Sequence, residues 1–178
     1  MRVKDRNDIL EVKITPEMFK EAEERNEVFE RKFGKYGTHR TEHNRRKIRM
    51  TGYLAEVAIK HTISKLRYSD EVQYDFKSQK NKTFDSKSQG CNFKPHIDYI
   101  GTLYEDQKNR EVDFYIFSRI KNDFSVAWLC GFIPKAEYLQ KAEFITKGTK
   151  VKNITYDTSR FALEYRHLYK IDNLLKEY

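Results

Sequence analysis

Residues 72–89 read Val-Gln-Tyr-Asp-Phe-Lys-Ser-Gln-Lys-Asn-Lys-Thr-Phe-Asp-Ser-Lys-Ser-Gln, and this stretch sets the expected fold. Apolar and polar residues alternate from Val72 to Lys77, and a period of two is typical of a half-buried strand. The polar run from Ser78 to Asn81 predicts a turn. A second strand is expected to begin at Thr83, so the stretch as a whole predicts a β-hairpin.

Burial fixes the expected register of this hairpin. Pairing Phe76 with Phe84 places the aromatic rings on one face and puts Asp75 opposite Asp85 on the other. Lys87 follows Asp85 by two residues, on the same side of its strand. Facing carboxylates repel unless a cation lies between them, and a hard divalent ion with oxygen ligands meets that need. A solvated, charged hairpin face is the alternative, and the hairpin alone leaves both readings open.

The length and charge of the chain limit the classes of protein to which it can belong. The chain has 178 residues, a net charge of +8 and a sequence pI of about 9.3. The length suffices for a single domain with its own core. The aromatic share of 14% argues against wholesale disorder. A basic balance suits a polyanionic partner, usually nucleic acid, although the same charge can simply serve solubility.

Cysteine content and hydropathy exclude several other classes. Cys91 and Cys130 have no paired spacing, which argues against a disulfide framework and against a cysteine-based zinc site. No apolar run approaches the roughly 20 residues of a membrane span. The first residues contain no hydrophobic segment of the signal-peptide type. We therefore expect a cytoplasmic protein without a membrane partner.

The N-terminal part predicts an extended lead-in over residues 1–14 and then a helix from Pro16 to about Phe33. Thr15 is the expected N-cap, and proline is tolerated at the first helical position. Many glutamates fall within this helix. Because they make this end of the protein acidic, we expect the helix to stay away from phosphate.

The next segment, residues 35–49, reverses the charge. Its candidate phosphate-contacting residues are Arg40, Arg45, Arg46, Lys47 and Arg49. Such a run can position a nucleic-acid backbone, or it can be an ordinary solvated helix face. The sequence leaves these two interpretations open.

A second helix is predicted from about Thr41 to Leu66, because apolar residues recur there at helical spacing. Glu56 interrupts its apolar part, between Ala55 and Val57. Buried acids are normally paired or bound to metal. The alternative is that Glu56 points outward and pairs with Lys60, four residues on.

The rest of the chain predicts more strands. Val112–Ile120 and Phe124–Ile133 are nearly continuously apolar, as central strands covered on both faces are. Tyr99–Tyr104 is either a short strand or an irregular excursion. A short helix is expected over residues 134–142, and a tail over 143–178 ends in another helical piece.

The order of these elements resembles the PD-(D/E)XK nuclease superfamily, which has the restriction-endonuclease-like fold. The matching pieces are Tyr74-Asp75-Phe76, Asp85-Ser86-Lys87 and, more loosely, Glu56 in Gly-Tyr-Leu-Ala-Glu. Residue 74 is Tyr where the motif has Pro. The resemblance spans roughly residues 41–142. It implies one α/β domain with a central mixed β-sheet flanked by helices, to which the N-terminal helix and the tail are additions.

The resemblance also implies a Mg²⁺-dependent deoxyribonuclease, with Mn²⁺ as a substitute. Asp75, Asp85 and the Ser86 main-chain carbonyl would hold the ion, and Glu56 would hold a second ion or the water network. Lys87 would orient or deprotonate the attacking water. Gln89, next on the same strand face, could contact DNA. Whether the substrate is DNA or RNA, and whether the protein is a homodimer, stays open.

A non-catalytic nucleic-acid-binding protein that uses the basic segment 35–49 is the alternative function. The full set of Glu56, Asp75, Asp85 and Lys87 speaks against it. A pure binder has no reason to place carboxylates on a surface that faces phosphate.

Overall fold

A computed structural model describes residues 1–33, 42–71, 73–151 and 154–177 of the protein. The helices are α1 (Pro16–Phe33), α2 (Glu42–Thr62), α3 (Lys135–Lys141) and α4 (Ile171–Glu177). The strands are β1 (Leu10–Lys13), β2 (Leu66–Tyr68), β3 (Phe76–Ser78), β4 (Thr83–Cys91), β5 (Ile100–Tyr104), β6 (Phe114–Lys121), β7 (Val126–Pro134), β8 (Glu143–Ile145), β9 (Lys150–Val151), β10 (Ile154–Thr155) and β11 (Arg160–Glu164).

The main sheet has six strands in the order β1-β7-β6-β4-β3-β2. Only β4 and β6 run parallel, whereas the other neighbouring pairs are antiparallel. A parallel pair needs a long crossover, and residues 92–113 supply it with β5 and a 3-10 turn over Glu105–Asn109. The prediction of a central mixed sheet flanked by helices is confirmed at this level.

Each face of the main sheet is covered by a separate core. On one face α1, α2 and α4 pack against the strands through residues such as Met18, Leu54 and Leu174. On the other face the rings of Tyr115 and Phe117 meet α3 and a second sheet, whose strand order is β5-β11-β8. The N-terminal helix and the tail therefore contribute to these cores, although the sequence suggested that they were additions to a smaller unit.

The predicted register of the hairpin is confirmed. Phe76 pairs with Phe84 and Lys77 with Thr83, and both phenylalanines are fully buried. The first strand is shorter than predicted and begins at Phe76. Val72, its expected start, lies outside the described residues.

The second helix ends earlier than predicted, at Thr62 instead of Leu66. Leu66 keeps the apolar spacing of the helix but belongs to β2, where it pairs with Ser78 and is fully buried. A strand of three residues is too short to show a period of its own, so the helical pattern concealed it. Thr41, the predicted start of this helix, lies outside the described residues.

The segment that the sequence left ambiguous, Tyr99–Tyr104, is largely a strand. Ile100–Tyr104 forms β5 and pairs with β11 from Ile100 to Tyr104. Gly101 lets this strand lie close to the main sheet, because a Cβ at that position would be 2.5 Å from the Phe117 ring. The extended lead-in also joins the sheet, since β1 is its edge strand beside β7.

Predictions for α1 are confirmed as well. The helix has the expected bounds, and the Thr15 hydroxyl accepts a hydrogen bond from the Met18 main-chain N–H at 3.3 Å. Among the described residues, no helix is both long enough and apolar enough to cross a membrane.

Candidate active site

Glu56 reaches the site from α2, and its side chain is only 14% exposed. The Arg25 guanidinium of α1 donates to the Glu56 carboxylate at 2.5 Å. The same guanidinium lies 3.9 Å from the centre of the Tyr68 ring. The outward-facing alternative, a pair with Lys60, is not what the structure shows, because Lys60 donates to the Ser64 carbonyl instead.

Asp75 lies immediately before β3, where the two hairpin strands begin to separate. Its main-chain N–H donates to the Phe84 carbonyl at 2.9 Å. Its carboxylate accepts a hydrogen bond from the Ser86 main-chain N–H at 2.7 Å. Among the described residues, no lysine, arginine or histidine forms an ion pair with Asp75. Its carboxylate is therefore held by the partner strand's main chain and not by a cation.

Asp85 is the most deeply buried of the three carboxylates, at 2% exposure. The Lys87 ammonium, two residues on, lies 2.7 Å from Asp85 Oδ2. The Arg110 guanidinium approaches the same oxygen at 3.4 Å from the crossover between β4 and β6. The Lys135 ammonium bonds the Arg110 carbonyl and so helps to anchor that part of the crossover. Two cations thus share one carboxylate oxygen.

The three carboxylates lie close enough to influence one another's protonation. Burial raises the pKa of Asp75 well above its usual range, and the Glu56 and Asp85 carboxylates raise it further. Burial also raises the pKa of Glu56, although the Arg25 guanidinium opposes that effect. Lys87 favours the charged form of both acids. The structure therefore brings Glu56, Asp75, Asp85 and Lys87 together in one electrostatic cluster.

The structure allows a test of whether this cluster suits a metal ion. Among residues 1–33, 42–71, 73–151 and 154–177, no three His, Cys, Asp or Glu side chains are gathered as a ligand set. Magnesium, however, commonly takes one or two carboxylates and fills its other positions with water and substrate phosphate. Asp75 and Asp85 supply two hard oxygen donors, and Asp75 has no cation of its own. The donor chemistry thus fits a two-carboxylate site, whereas Glu56 is occupied by Arg25.

Ser86 lies between Asp85 and Lys87 on β4. Its main-chain N–H donates a hydrogen bond to the Asp75 carboxylate. Its hydroxyl oxygen is buried and has no hydrogen-bond partner among the described residues. An unsatisfied buried hydroxyl is uncommon in folded proteins, and a water or an ion is one of the partners that can satisfy it.

Gln89 extends the same strand beyond Lys87. Its amide nitrogen donates to the Thr102 hydroxyl of β5 at 3.2 Å. Lys87 and Gln89 both line a cleft of about 300 Å³ between α2 and β5. The predicted substrate-contacting residue therefore lies beside the carboxylate cluster.

The candidate phosphate-contacting residues of the segment 35–49 are only partly available to phosphate. Arg46 forms an ion pair with Glu23 at 2.8 Å, and Arg49 bonds both Glu30 and Asn26 of α1. Arg45 and Lys47 lie on the same helix, α2. Arg40 lies outside the described residues. The acidic side chains of α1 thus neutralise part of the basic segment.

Two residues of the cluster were not foreseen from the sequence, namely Arg25 and Arg110. Arg25 belongs to the glutamate-rich helix that was expected to stay away from the site. The average charge of a helix conceals which residues share its inward face, and Arg25 shares that face with Ala22. Arg110 lies in a polar turn with no strand or helix pattern to place it.

Comparison of the chain with models of known protein families gave no match. A search of curated proteins likewise found no similar sequence.

Proposed function

We propose that the chain is a metal-dependent phosphodiesterase that hydrolyses DNA, a nuclease of the PD-(D/E)XK type with a restriction-endonuclease-like fold. The observation that carries the proposal is Asp75, a desolvated carboxylate without a cation of its own beside Asp85 and Lys87. Uncompensated charge of this kind is costly. Carboxylates whose pKa is strongly raised by burial cluster at functional sites.

The order of elements supports the same proposal. A helix that carries Glu56 precedes three antiparallel strands, and the second and third of these bring Asp75 and Asp85 together. The third strand then pairs in parallel with β6, deep in the sheet. This is the arrangement that the sequence motif requires if its residues are to act as a unit.

Each residue of the cluster has a role in the proposed reaction. A Mg²⁺ or Mn²⁺ ion held by Asp75, Asp85 and the Ser86 carbonyl would supply Lewis-acid polarisation of the phosphate and a more acidic bound water. Lys87, whose ammonium is held in position by its contact with Asp85, would orient the attacking water and offset negative charge on the phosphate. Arg25 fixes the Glu56 carboxylate, which lines the same cluster.

Cleavage assays with purified protein test this proposal. Linear, circular, single-stranded and branched DNA, together with RNA, should be incubated with Mg²⁺, Mn²⁺ or EDTA. We expect metal-dependent cleavage of at least one DNA form, and its loss in Asp85→Asn and Lys87→Ala. Asp123→Asn is the matched control, because Asp123 lies in the exposed turn between β6 and β7, away from the cluster. Cleavage that is absent throughout, or unchanged in Asp85→Asn, would overturn the proposal.

The alternative of a non-catalytic binder makes a different prediction for the same variants. Removing the Asp85 charge would then only reduce repulsion, so binding would tighten while cleavage would be absent in every protein. The pairing of Arg46 and Arg49 with α1 leaves this alternative with fewer cations than the sequence suggested.

A further inference from the structure

The cleft beside the carboxylate cluster exists because β4 is longer than its neighbour. β4 pairs with β3 only through Thr83 and Phe84, whereas it pairs with β6 as far as Cys91. From Ser88 onward one edge of β4 therefore forms the floor of the cleft instead of pairing with β3. The cleft lies over that edge and has a volume of about 300 Å³.

Two elements form the walls of this cleft. α2 supplies one wall through Ile48 and Thr51, and the Ser88 hydroxyl of the floor donates to the Thr51 carbonyl. β5 supplies the other wall through Thr102 and Tyr104. The close approach of β5 to the main sheet at Gly101 brings this wall over the β4 edge.

The cleft combines exposed apolar surface with polar groups at its base. Ile48 is 50% exposed and Tyr104 is 48% exposed, and both line the cleft, one on each wall. Gln89, Thr102 and Gln107 bring amide and hydroxyl groups to the lining. Apolar faces and a hydrogen-bonding edge are the two properties of a nucleobase, and unpaired bases are commonly bound by stacking on aromatic side chains.

Tyr104 has one contact at its ring and one at its main chain. The Arg160 guanidinium lies 5.1 Å from the centre of its ring. The Tyr104 main-chain N–H donates to the Gln107 side-chain oxygen at 3.3 Å. A half-exposed ring on an anchored strand, with a guanidinium nearby, is suited to stacking.

We propose that this cleft binds an unpaired nucleobase, so that the substrate strand is single-stranded or locally unpaired next to the reacting phosphate. A base within a duplex is stacked between its neighbours and paired at its edge, so only an unpaired base can offer its faces to the cleft walls and its edge to the polar floor. Lys87 lines the cleft and also contacts Asp85, which places the bound nucleotide beside the cluster. The inference rests on the proposed function, because it specifies the substrate of that site.

Binding measured in EDTA tests the inference without any dependence on cleavage. Fluorescence anisotropy would compare a labelled 15-nucleotide DNA strand with the same strand annealed to its complement, at one fixed salt concentration. We expect the single strand to bind at least about tenfold more tightly than the duplex. Tyr104→Ala should weaken single-strand binding about tenfold and leave duplex binding unchanged, whereas Tyr104→Phe should retain affinity.

Phe93→Ala is the matched control, because Phe93 is 75% exposed but does not line the cleft. Gln89→Ala is a second test at the floor and should also weaken single-strand binding. Equal affinities for single strand and duplex, or equal effects of Tyr104→Ala and Phe93→Ala, would overturn the inference. Single-strand preference without metal-dependent cleavage would overturn the nuclease proposal alone. Cleavage together with a preference for duplex would overturn the inference alone.

Discussion

Two groups of charged residues in this molecule are balanced in different ways. Between α1 and α2, Arg46 pairs with Glu23 and Arg49 with Glu30, so these carboxylates have cations of their own at the protein surface. At the carboxylate cluster the distribution is uneven. Lys87 and Arg110 both bind Asp85, while Asp75, just before the adjoining strand β3, accepts a hydrogen bond from a main-chain N–H and has no ion pair among the described residues.

Under the proposed function, the pairs between α1 and α2 serve the protein surface, whereas the carboxylate cluster serves the reaction. Exposed pairs contribute roughly 0–1 kcal/mol each and are screened by salt. A desolvated carboxylate without a cation reduces stability, and such carboxylates cluster at functional sites. Substitutions in the two groups should therefore have effects of different size and, at Asp75, of opposite sign.

The largest expected effect is at Arg25. Arg25→Met would leave the Glu56 carboxylate largely buried without its cation. We expect a loss of about 3 kcal/mol in the free energy of unfolding, which is typical of a broken buried ion pair. The double substitution Arg25→Met with Glu56→Gln should recover most of that loss. Urea unfolding of all three variants measures this, and a single variant within about 0.5 kcal/mol of wild type would contradict the role given to Arg25.

The next expected effect is a gain in stability at Asp75. Asp75→Asn keeps an oxygen that can accept the Ser86 hydrogen bond and removes the desolvated charge. We expect an increase of about 1 kcal/mol in the free energy of unfolding near neutral pH. The same change should abolish any metal-dependent cleavage. Glu30→Gln, which breaks an α1–α2 pair, is the control and should not increase stability. A loss of stability in Asp75→Asn would show that the charge is already compensated.

The dependence on pH should separate Asp75 from an ordinary paired acid. Because its folded pKa is raised above the ordinary 3.8, the relative stability of wild type improves as the pH falls toward that value and declines as the pH rises. The advantage of Asp75→Asn should therefore shrink on acidification. Asp113 provides the contrast, since its bonds to Thr83 and Lys82 lower its pKa despite partial burial.

For Asp113 the sign is opposite. Its contribution is present above the ordinary value of 3.8 and is lost as the pH falls through its lowered pKa. Asp113→Asn should therefore destabilise the protein near neutral pH, and that cost should shrink on acidification. Unfolding of both variants between about pH 2 and 8 measures the two trends, because the change at Asp113 falls below its ordinary pKa. Parallel curves for wild type and Asp75→Asn would contradict the raised pKa of Asp75.

The smallest expected effect is at Arg46. Arg46→Gln breaks an exposed pair with Glu23 and should change the free energy of unfolding by less than about 0.5 kcal/mol. If the pair is retained when DNA binds, the salt dependence of DNA binding should also be unchanged. A clear loss of salt dependence in Arg46→Gln would show that Arg46 leaves Glu23 to contact phosphate.

The hairpin could be predicted because the residues that determine it are close together in the sequence. The alternation of Phe76 and Phe84 with their polar neighbours, together with a short turn, was sufficient to set the register. The helix that carries Glu56 was likewise placed by its apolar spacing. What local patterns could not supply were the partners of the charged residues.

Those partners come from distant parts of the chain. Arg25 is 31 residues before Glu56, and Arg110 is 25 residues after Asp85. The sequence also predicted a basic segment over residues 35–49, because it shows the charges but not their partners. The ion pairs with α1 form only when the two helices pack together. Tertiary packing therefore decides which charges are available to a ligand.

The central claim is that Asp75 and Asp85 together hold a divalent cation. Titration calorimetry with Mn²⁺ and Mg²⁺, on the full chain without nucleic acid, tests it most directly. We expect one binding event per chain in the wild type, weakened at least about tenfold in Asp75→Asn and in Asp85→Asn and unchanged in Glu30→Gln. The absence of binding in the wild type, or equal affinity in all four proteins, would contradict the account.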